Sequence, residues 1–499
     1  MGLAKLHTRA LHGTEAPIVI VEIHVANGLP SFSIVGLPDT AVKESRDRVR
    51  SAIQMSGFDF PARRITVNLA PADLPKDSGR YDLPIALGIL IASNLIKCKH
   101  DTHDLEFAGE LALDGSLRAI HGALAIACHT YKYNKTFLLP LMNAKEASLL
   151  DNNIKIIACS SLLQVAQFLA KEIELPYFHN YEIDNIANDL AIDFRDVKGQ
   201  LSAKNALEIA ASGRHSVLMI GNPGCGKSML AERMTTILPS LSVTEAIESA
   251  AIYSLSNQFD ISKFKMIPFR RPHHSSSSVA IVGGGANPKP GEISLAHNGI
   301  LFLDETTEFD RNVLEVLREP LETKVINISR ANKKVQFPAN FQLIAAMNPC
   351  PCGNRGHLQK VCRCTNEQVD RYKNKISAPL LDRIDLIIAI PQVKLDELYT
   401  LPSGESSAKI KDRVKLTRNI QLTRQKKLNY ELNNQEVDLY CTFDLTTREM
   451  LNQIIEKMGF SARSYYKLLK VARTIADINN TEYITKKDIA QSIQYKMII

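Results

Sequence analysis

The eight residues Gly221-Asn222-Pro223-Gly224-Cys225-Gly226-Lys227-Ser228 satisfy G-x-x-x-x-G-K-[ST] at every defined position. No other stretch restricts the fold as tightly. The apolar run Ser216–Ile220 before it reads as a buried strand, and Lys227–Ile237 after it reads as a helix. Strand, glycine turn and helix make one βα unit, with the loop at the C-terminal edge of a parallel sheet. There the glycines let backbone N–H groups turn inward around an anion, and the helix N-terminus adds its positive end. Lys227 can reach β- and γ-phosphates, and Ser228 can give its hydroxyl to Mg²⁺. ATP and Mg²⁺ are therefore the expected ligands, cradled by Gly221 through Ser228.

A second half of the same site lies about 75 residues on, where Gly299-Ile300-Leu301-Phe302-Leu303 runs into Asp304 and Glu305. Apolar residues make a buried strand, and two carboxylates emerge at its C-terminal end. Asp304 is expected to hold Mg²⁺ through water, and Glu305 to accept a proton from the attacking water. The strand Phe341–Met347 ends at Asn348, whose amide can position that water. Pro349 follows, so an Asn-Pro turn is the plainer alternative. Arg383 sits in Leu380-Leu381-Asp382-Arg383-Ile384-Asp385. It reads either as an arginine offered to a phosphoryl group on another subunit or as half of an Arg–Asp ion pair.

The rest of the chain sets the class. At roughly 100–200 residues per domain, 499 residues make two to four domains. With 45% hydrophobic and 23% charged residues, the chain is globular rather than disordered. The most apolar run, Leu83–Ile96, is interrupted by Pro84, Gly88 and Asn94 and is too short to span a bilayer. The N-terminus, Met1 to His7, lacks a long apolar stretch, so a cytoplasmic location without a secretory leader is expected. The net charge is +7, and residues 401–499 hold 17 Lys and Arg against 11 Asp and Glu, or +6. That asymmetry favours an acidic partner, nucleic acid first, with a solvated basic face as the alternative.

The fold class expected is α/β. Ile18–Val25, Ser31–Val35 and Arg64–Ala70 read as strands, Asp39 to Met55 and Leu83–Ile96 as helices, and Glu106–Leu113 as a further strand. This α/β domain occupies 1–172. The polar, Asn- and Asp-rich segment 173–195 reads as a linker. A P-loop domain with a mostly parallel sheet, from strands at Ser216–Ile220, Gly299–Leu303, Phe341–Met347 and Asp385–Ile390, fills 196–400. A basic connector and a helical segment complete 401–499.

P-loop, Leu-Asp-Glu strand, Asn-ended strand, Leu-Leu-Asp-Arg and a terminal helical segment, in this order, resemble an AAA+ ATPase. Arg271-Pro272-His273-His274 and Pro290-Gly291-Glu292-Ile293-Ser294-Leu295-Ala296-His297-Asn298-Gly299 are similar to the magnesium-chelatase-like branch. Phe32-Ser33-Ile34-Val35-Gly36-Leu37-Pro38-Asp39 and Leu83-Pro84-Ile85-Ala86-Leu87-Gly88 narrow the resemblance to the YifB/ComM family, from about Ala16 to the C-terminus. The resemblance implies that Arg383 is an arginine finger and Arg463 the sensor 2 arginine of a helical lid. It implies a homo-oligomeric ring, commonly a hexamer, and a family member that is a DNA helicase driving branch migration in natural transformation.

The resemblance also implies a Lon-protease-like (S5-type) N-terminal domain. The residues themselves read differently from a peptidase. In Pro75-Lys76-Asp77-Ser78-Gly79-Arg80-Tyr81-Asp82, Ser78 falls too early and Tyr81 or Asp82 takes the nucleophile's region. The partner lysine would fall near Leu124, where no Lys is present. A hydroxyl without a base is a poor nucleophile, so a binding or assembly module is expected.

Cys350, Cys352, Cys362 and Cys364 fall within 15 residues. Four soft ligands on one loop suit tetrahedral Zn²⁺, with His357 a substitute for one of them; four reduced thiols are the alternative. Val325–Phe337 reads as a β-hairpin whose tip carries Arg330, Lys333 and Lys334, placed either against DNA phosphates in a ring pore or in solvent. Lys409–Lys427 holds eight basic residues and one acid, a DNA face or an ordinary connecting helix. His273 and His274 read as part of the ATPase insert or as the cap of a turn.

The reading is an ATP-driven ring motor on single-stranded or branched DNA, a helicase or branch-migration factor in DNA uptake and recombination. The rival readings are a chelatase-type ATPase subunit serving metal insertion into a tetrapyrrole and an ATP-switched assembly factor.

Overall fold

The computed structural model describes residues 2–150, 154–179, 192–256, 258–285, 288–330, 333–357, 359–393 and 402–496, with the backbone alone at Arg330 and Lys333. Part of the expected linker, the boundary near 400 and the hairpin tip at 331–332 lie outside the described residues. By mutual contact the chain divides into two compact units. One comprises Met1–Ala187 and Ala246–Phe264, the other Asn188–Glu245 and Lys265–Ile499. The segments expected at 196–400 and 401–499 thus fall together, except that 246–264 clusters with the N-terminal unit.

The N-terminal unit is built on a mixed seven-stranded sheet. Its strands are β1 (Gly2–Arg9), β2 (Ile18–Ala26), β3 (Ser31–Val35), β4 (Arg64–Ala70), β5 (Leu105–Phe107), β6 (Thr136–Pro140) and β7 (Ile156–Cys159), in the order β3-β4-β2-β1-β5-β6-β7. Alternation along β2 sets its two faces. Val19, Val21, Ile23 and Val25 are buried in the core, while Ile18, Ile20, Glu22 and His24 on the opposite face are exposed or half-buried.

Helix α1 (Thr40–Met55) starts where the Asp39 carboxylate accepts from Val42 N at 2.9 Å. Helix α2 (Asp82–Ala92) is buried almost throughout and packs on β1 and β2. It ends before the expected Ile96, because Ser93 caps it and Asn94 takes a left-handed φ of 58°. The strand expected over Glu106–Leu113 is two pieces, Leu105–Phe107 and Glu110–Leu111. Between them the Ala108 amide still donates to Leu138 O on β6, while the Gly109 amide turns away to Arg80 O. Asp82, in the region where a peptidase would carry its nucleophile, is buried and bound by Ser45, Arg48 and Leu111 N.

The second unit contains the strands β8 (Val217–Gly221), β9 (Phe269–Arg270), β10 (Ile300–Leu303), β11 (Val325–Arg330), β12 (Lys333–Pro338), β13 (Gln342–Met347) and β14 (Leu386–Ile390). Five of them form an all-parallel sheet in the order β9-β10-β13-β8-β14, and β11 with β12 forms a separate antiparallel hairpin. Every residue of β10 and β13 is buried, as parallel strands covered on both faces require. Helices α3 (Leu201–Gly213), α4 (Lys227–Ile237), α5 (Ser407–Gln425) and α6 (Ala462–Ile478) pack together beside this sheet.

Three of the six basic side chains of α5 are bound to partners within the protein. Arg413 pairs with Glu208 and Glu405, both at 2.6 Å, and Arg424 pairs with buried Asp477 at 2.6 Å. Arg418 donates to Ala211 O, and burial pushes its guanidinium down to about 9. Lys427, just beyond the helix, pairs with Glu436 at 2.5 Å. These contacts favour the connecting-helix reading of Lys409–Lys427 over a DNA face. Among the described residues, no helix is long and apolar enough to cross a membrane.

Candidate nucleotide site

Strand β8 ends at Gly221, and the loop then turns through Gly224 (φ 76°) and Gly226 (φ 93°) into α4. Gly221 admits no side chain. A Cβ there would lie 2.6 Å from Cys225 Sγ and 2.7 Å from the backbone oxygen of Ile390 on the neighbouring strand. Gly221→Ala is expected to cost about 1–3 kcal/mol, because that oxygen cannot move without breaking the sheet. Urea unfolding of the variant and the parent measures it, and equal midpoints would remove this argument.

The loop, β10 and β13 together line a cavity of about 320 Å³. Pro223, Gly224, Gly226, Lys227, Ser228, Asp304, Glu305 and Asn348 all face it. Lys227 Nζ donates to Gly221 O at 2.7 Å, Asn222 O at 3.1 Å and Asn348 Oδ1 at 3.2 Å. Ser228 Oγ donates to Asp304 Oδ2 at 2.7 Å. That hydroxyl–carboxylate pair, beside a lysine and the N-terminus of α4, is a donor set suited to Mg²⁺ and polyphosphate.

Glu305 adopts a left-handed φ of 50°, uncommon for a residue with a side chain. Two neighbours hold it there. Glu308 N donates to Glu305 O at 2.8 Å, and Thr306 Oγ1 ties Leu303 O and Ala346 O together at 2.9 and 3.0 Å. The turn brings Glu305 to the cavity wall rather than leaving it to continue along the strand.

Two residues join the site that sequence reasoning did not place in it. Arg271 Nη2 meets Asp304 Oδ2 at 2.6 Å and Nη1 meets Glu232 Oε1 at 3.3 Å, with the guanidinium 5.4 Å from the Phe302 ring centroid. His274 Nδ1 lies 3.6 Å from Glu305 Oε2. His273 instead caps a turn, its Nδ1 meeting the Ser275 hydroxyl at 2.7 Å and amide at 3.3 Å. The signal was the Arg271-Pro272-His273-His274 run, but only the fold shows which histidine turns inward.

Arg383 and Arg463 do not line this cavity. Both contact one carboxylate, that of Glu322: Arg383 Nη2 at 2.8 Å, and Arg463 through Nη2 as well. Arg383 also donates to Pro379 O at 2.7 Å. The Arg–Asp pair offered as its alternative does not form with Asp385, which binds Ser216, His215 and Lys467. Lys334 is exposed on the hairpin, and the side chains of Arg330 and Lys333 lie outside the described residues.

The ligand atoms of Cys350, Cys352, Cys362 and Cys364 all lie within 4.8 Å of one another, an arrangement able to hold a metal ion. Three Sγ pairs are 3.5, 3.6 and 3.6 Å apart. Metal–sulfur bonds of about 2.3 Å in a tetrahedron put sulfurs about 3.8 Å apart, so the spacing fits one ion. The amides of Asn354 and Arg363 hold the Cys352 thiol down at about 6. His357 does not substitute for one of the thiolates through Nδ1, which accepts the amides of Gln359 and Lys360.

Comparison with known proteins gives the family. Residues 193–398 match the family described as magnesium chelatase, subunit ChlI, while 21–143 and 404–496 match the family's flanking models. The chain is 45% identical to the competence protein ComM of Haemophilus influenzae, covering all of this chain and 98% of that protein. It belongs to the YifB/ComM family of magnesium-chelatase-like AAA+ ATPases. The YifB protein of Escherichia coli is 46% identical over all of this chain and 98% of its own length. An MCM-type protein of Methanocaldococcus jannaschii is 29% identical over 36% of this chain and 20% of its own.

Proposed function

We propose that the chain is the subunit of an ATP-driven ring, a hexamer, that moves along or remodels single-stranded or branched DNA in DNA uptake and recombination. The observation that carries this is the meeting of Arg383 and Arg463 at Glu322, outside the subunit's own nucleotide cavity. Two guanidiniums gathered on one anion are suited to a phosphoryl group whose charge is developing. A neighbouring subunit can present one. Within a subunit, Lys227 holds phosphate, Ser228 and Asp304 hold Mg²⁺, Asn348 positions water and Glu305 takes its proton. Bound Mg²⁺ supplies charge neutralisation on the phosphate oxygens. The competence name of the Haemophilus relative and the partial likeness to an MCM-type protein support DNA as the partner.

The hairpin residues Arg330, Lys333 and Lys334 are the proposed phosphate contacts. ATPase rate, measured with and without single-stranded and forked DNA at two salt concentrations, tests the reading. DNA is expected to stimulate turnover, with an affinity that falls steeply as salt rises. Neutralising all three residues is expected to reduce the slope of log affinity against log salt by about 2–3. Turnover indifferent to DNA would favour the assembly-factor reading, and reconstituted Mg²⁺ insertion into a porphyrin would favour the chelatase one.

The N-terminal unit is read as a Lon-like binding or assembly module without peptidase chemistry, since Tyr81, Asp82 and Leu124 are buried. The four cysteines are read as a Zn²⁺ site, on the sulfur spacing given above.

A further inference from the structure

The cysteine loop is fastened to the phosphate-binding loop. Asn222 Nδ2 donates to Gly353 O at 2.6 Å and to Arg355 O at 3.1 Å. Arg355 N in turn donates to Cys350 Sγ at 3.4 Å. One residue of the cysteine loop thus binds a metal-ligand sulfur through its amide and a P-loop side chain through its carbonyl. Asn222 is buried, so its amide has no water to fall back on. The two loops also touch directly: a Cβ on Gly353 would lie 2.7 and 2.8 Å from the Pro223 ring. A second route runs through Asn348, which accepts from Lys227 Nζ and precedes Cys350 by two residues.

The segment between Cys350 and Cys364 carries turns and bends rather than helix or strand in its described residues. Without a cross-link, such a loop pays full conformational entropy to hold one shape. An ion that fixes four sulfurs also fixes the carbonyls that hold Asn222. We propose that Zn²⁺ bound by Cys350, Cys352, Cys362 and Cys364 clamps the P-loop through Asn222 and Pro223, so that metal occupancy and ATP affinity are coupled. The coupling rests on the zinc reading and goes beyond it. By linkage, each ligand strengthens the other by the same factor, for which about tenfold is expected.

The test uses the full chain. Bound zinc is measured per chain, and its loss to an excess of chelator is timed with and without saturating ATPγS. Nucleotide is expected to slow the loss, and zinc-stripped protein is expected to bind a fluorescent ATP analogue about tenfold more weakly than zinc-loaded protein. Asn222→Ala keeps all four sulfurs; it is expected to retain zinc but lose nucleotide protection even at saturating nucleotide. The timing experiment on unaltered protein needs no stripped or substituted chain to fold. Zinc that stays bound yet leaves at one rate with and without nucleotide overturns the coupling and spares the metal reading. A chain that carries no zinc and takes none up overturns the metal reading, and the coupling with it.

Discussion

Glu305→Gln is expected to lower ATP turnover by about 10²–10⁴-fold while nucleotide affinity stays within a few-fold of the parent. The amide keeps the size and the turn of the carboxylate but cannot take a proton. In the proposed site, binding is assigned to other groups: the P-loop amides, Lys227, and the Ser228–Asp304 pair 2.7 Å apart. The strained backbone at Glu305 is held through Thr306 Oγ1 and the Glu308 amide, bonds that do not use the Glu305 carboxylate, so the substitution leaves the turn in place. Single-turnover hydrolysis and equilibrium binding of a fluorescent ATP analogue separate the two effects. Turnover at the parent rate would remove Glu305 as the base. Lost binding would mean that the carboxylate serves the cradle rather than the chemistry.

The candidate nucleotide site was legible because each of its parts is local. Each of its strands is a short apolar run buried on both faces, and each leads into a residue expected to act on the nucleotide: Gly221, Asp304, Asn348. The rest depends on partners far along the chain. Strand β1 alternates Lys5, His7 and Arg9 with Leu6 and Thr8, a pattern that does not announce a buried strand. Arg9 is buried because Glu106, 97 residues away, meets it at 2.7 Å and Thr130 completes the carboxylate. The basic helix α5 is hard to read for the same reason, since Glu208 and Asp477 pair with charge that composition counts as free. Glu322 carries no local mark at all. It is an acid in the short helix Pro320–Thr323, and only the fold brings Arg383 and Arg463 to it.

Arg383→Ala is expected to reduce turnover by about 10³–10⁵-fold, the range for removing an arginine that stabilises a transferring phosphoryl group. The cavity beside Lys227 should still bind nucleotide, because Arg383 is no part of its lining. A loss of this size from a residue outside its own cavity has two explanations, local misfolding or service to a neighbour. Mixing separates them. Glu305→Gln subunits have a dead site but an intact arginine; Arg383→Ala subunits have an intact site but no arginine to offer. In a cyclic, head-to-tail ring each site meets the next subunit's arginine, so random co-assembly restores about one interface in four. Two inactive proteins are therefore expected to regain turnover when mixed under conditions that let subunits exchange. Arg463→Ala mixed with Glu305→Gln is expected to behave alike, because both guanidiniums share Glu322 and so face the same side of the subunit. Were the mixtures to stay inactive while subunit exchange is verified by labelled chains, the loss would be local misfolding, and the neighbour-completed site would be wrong.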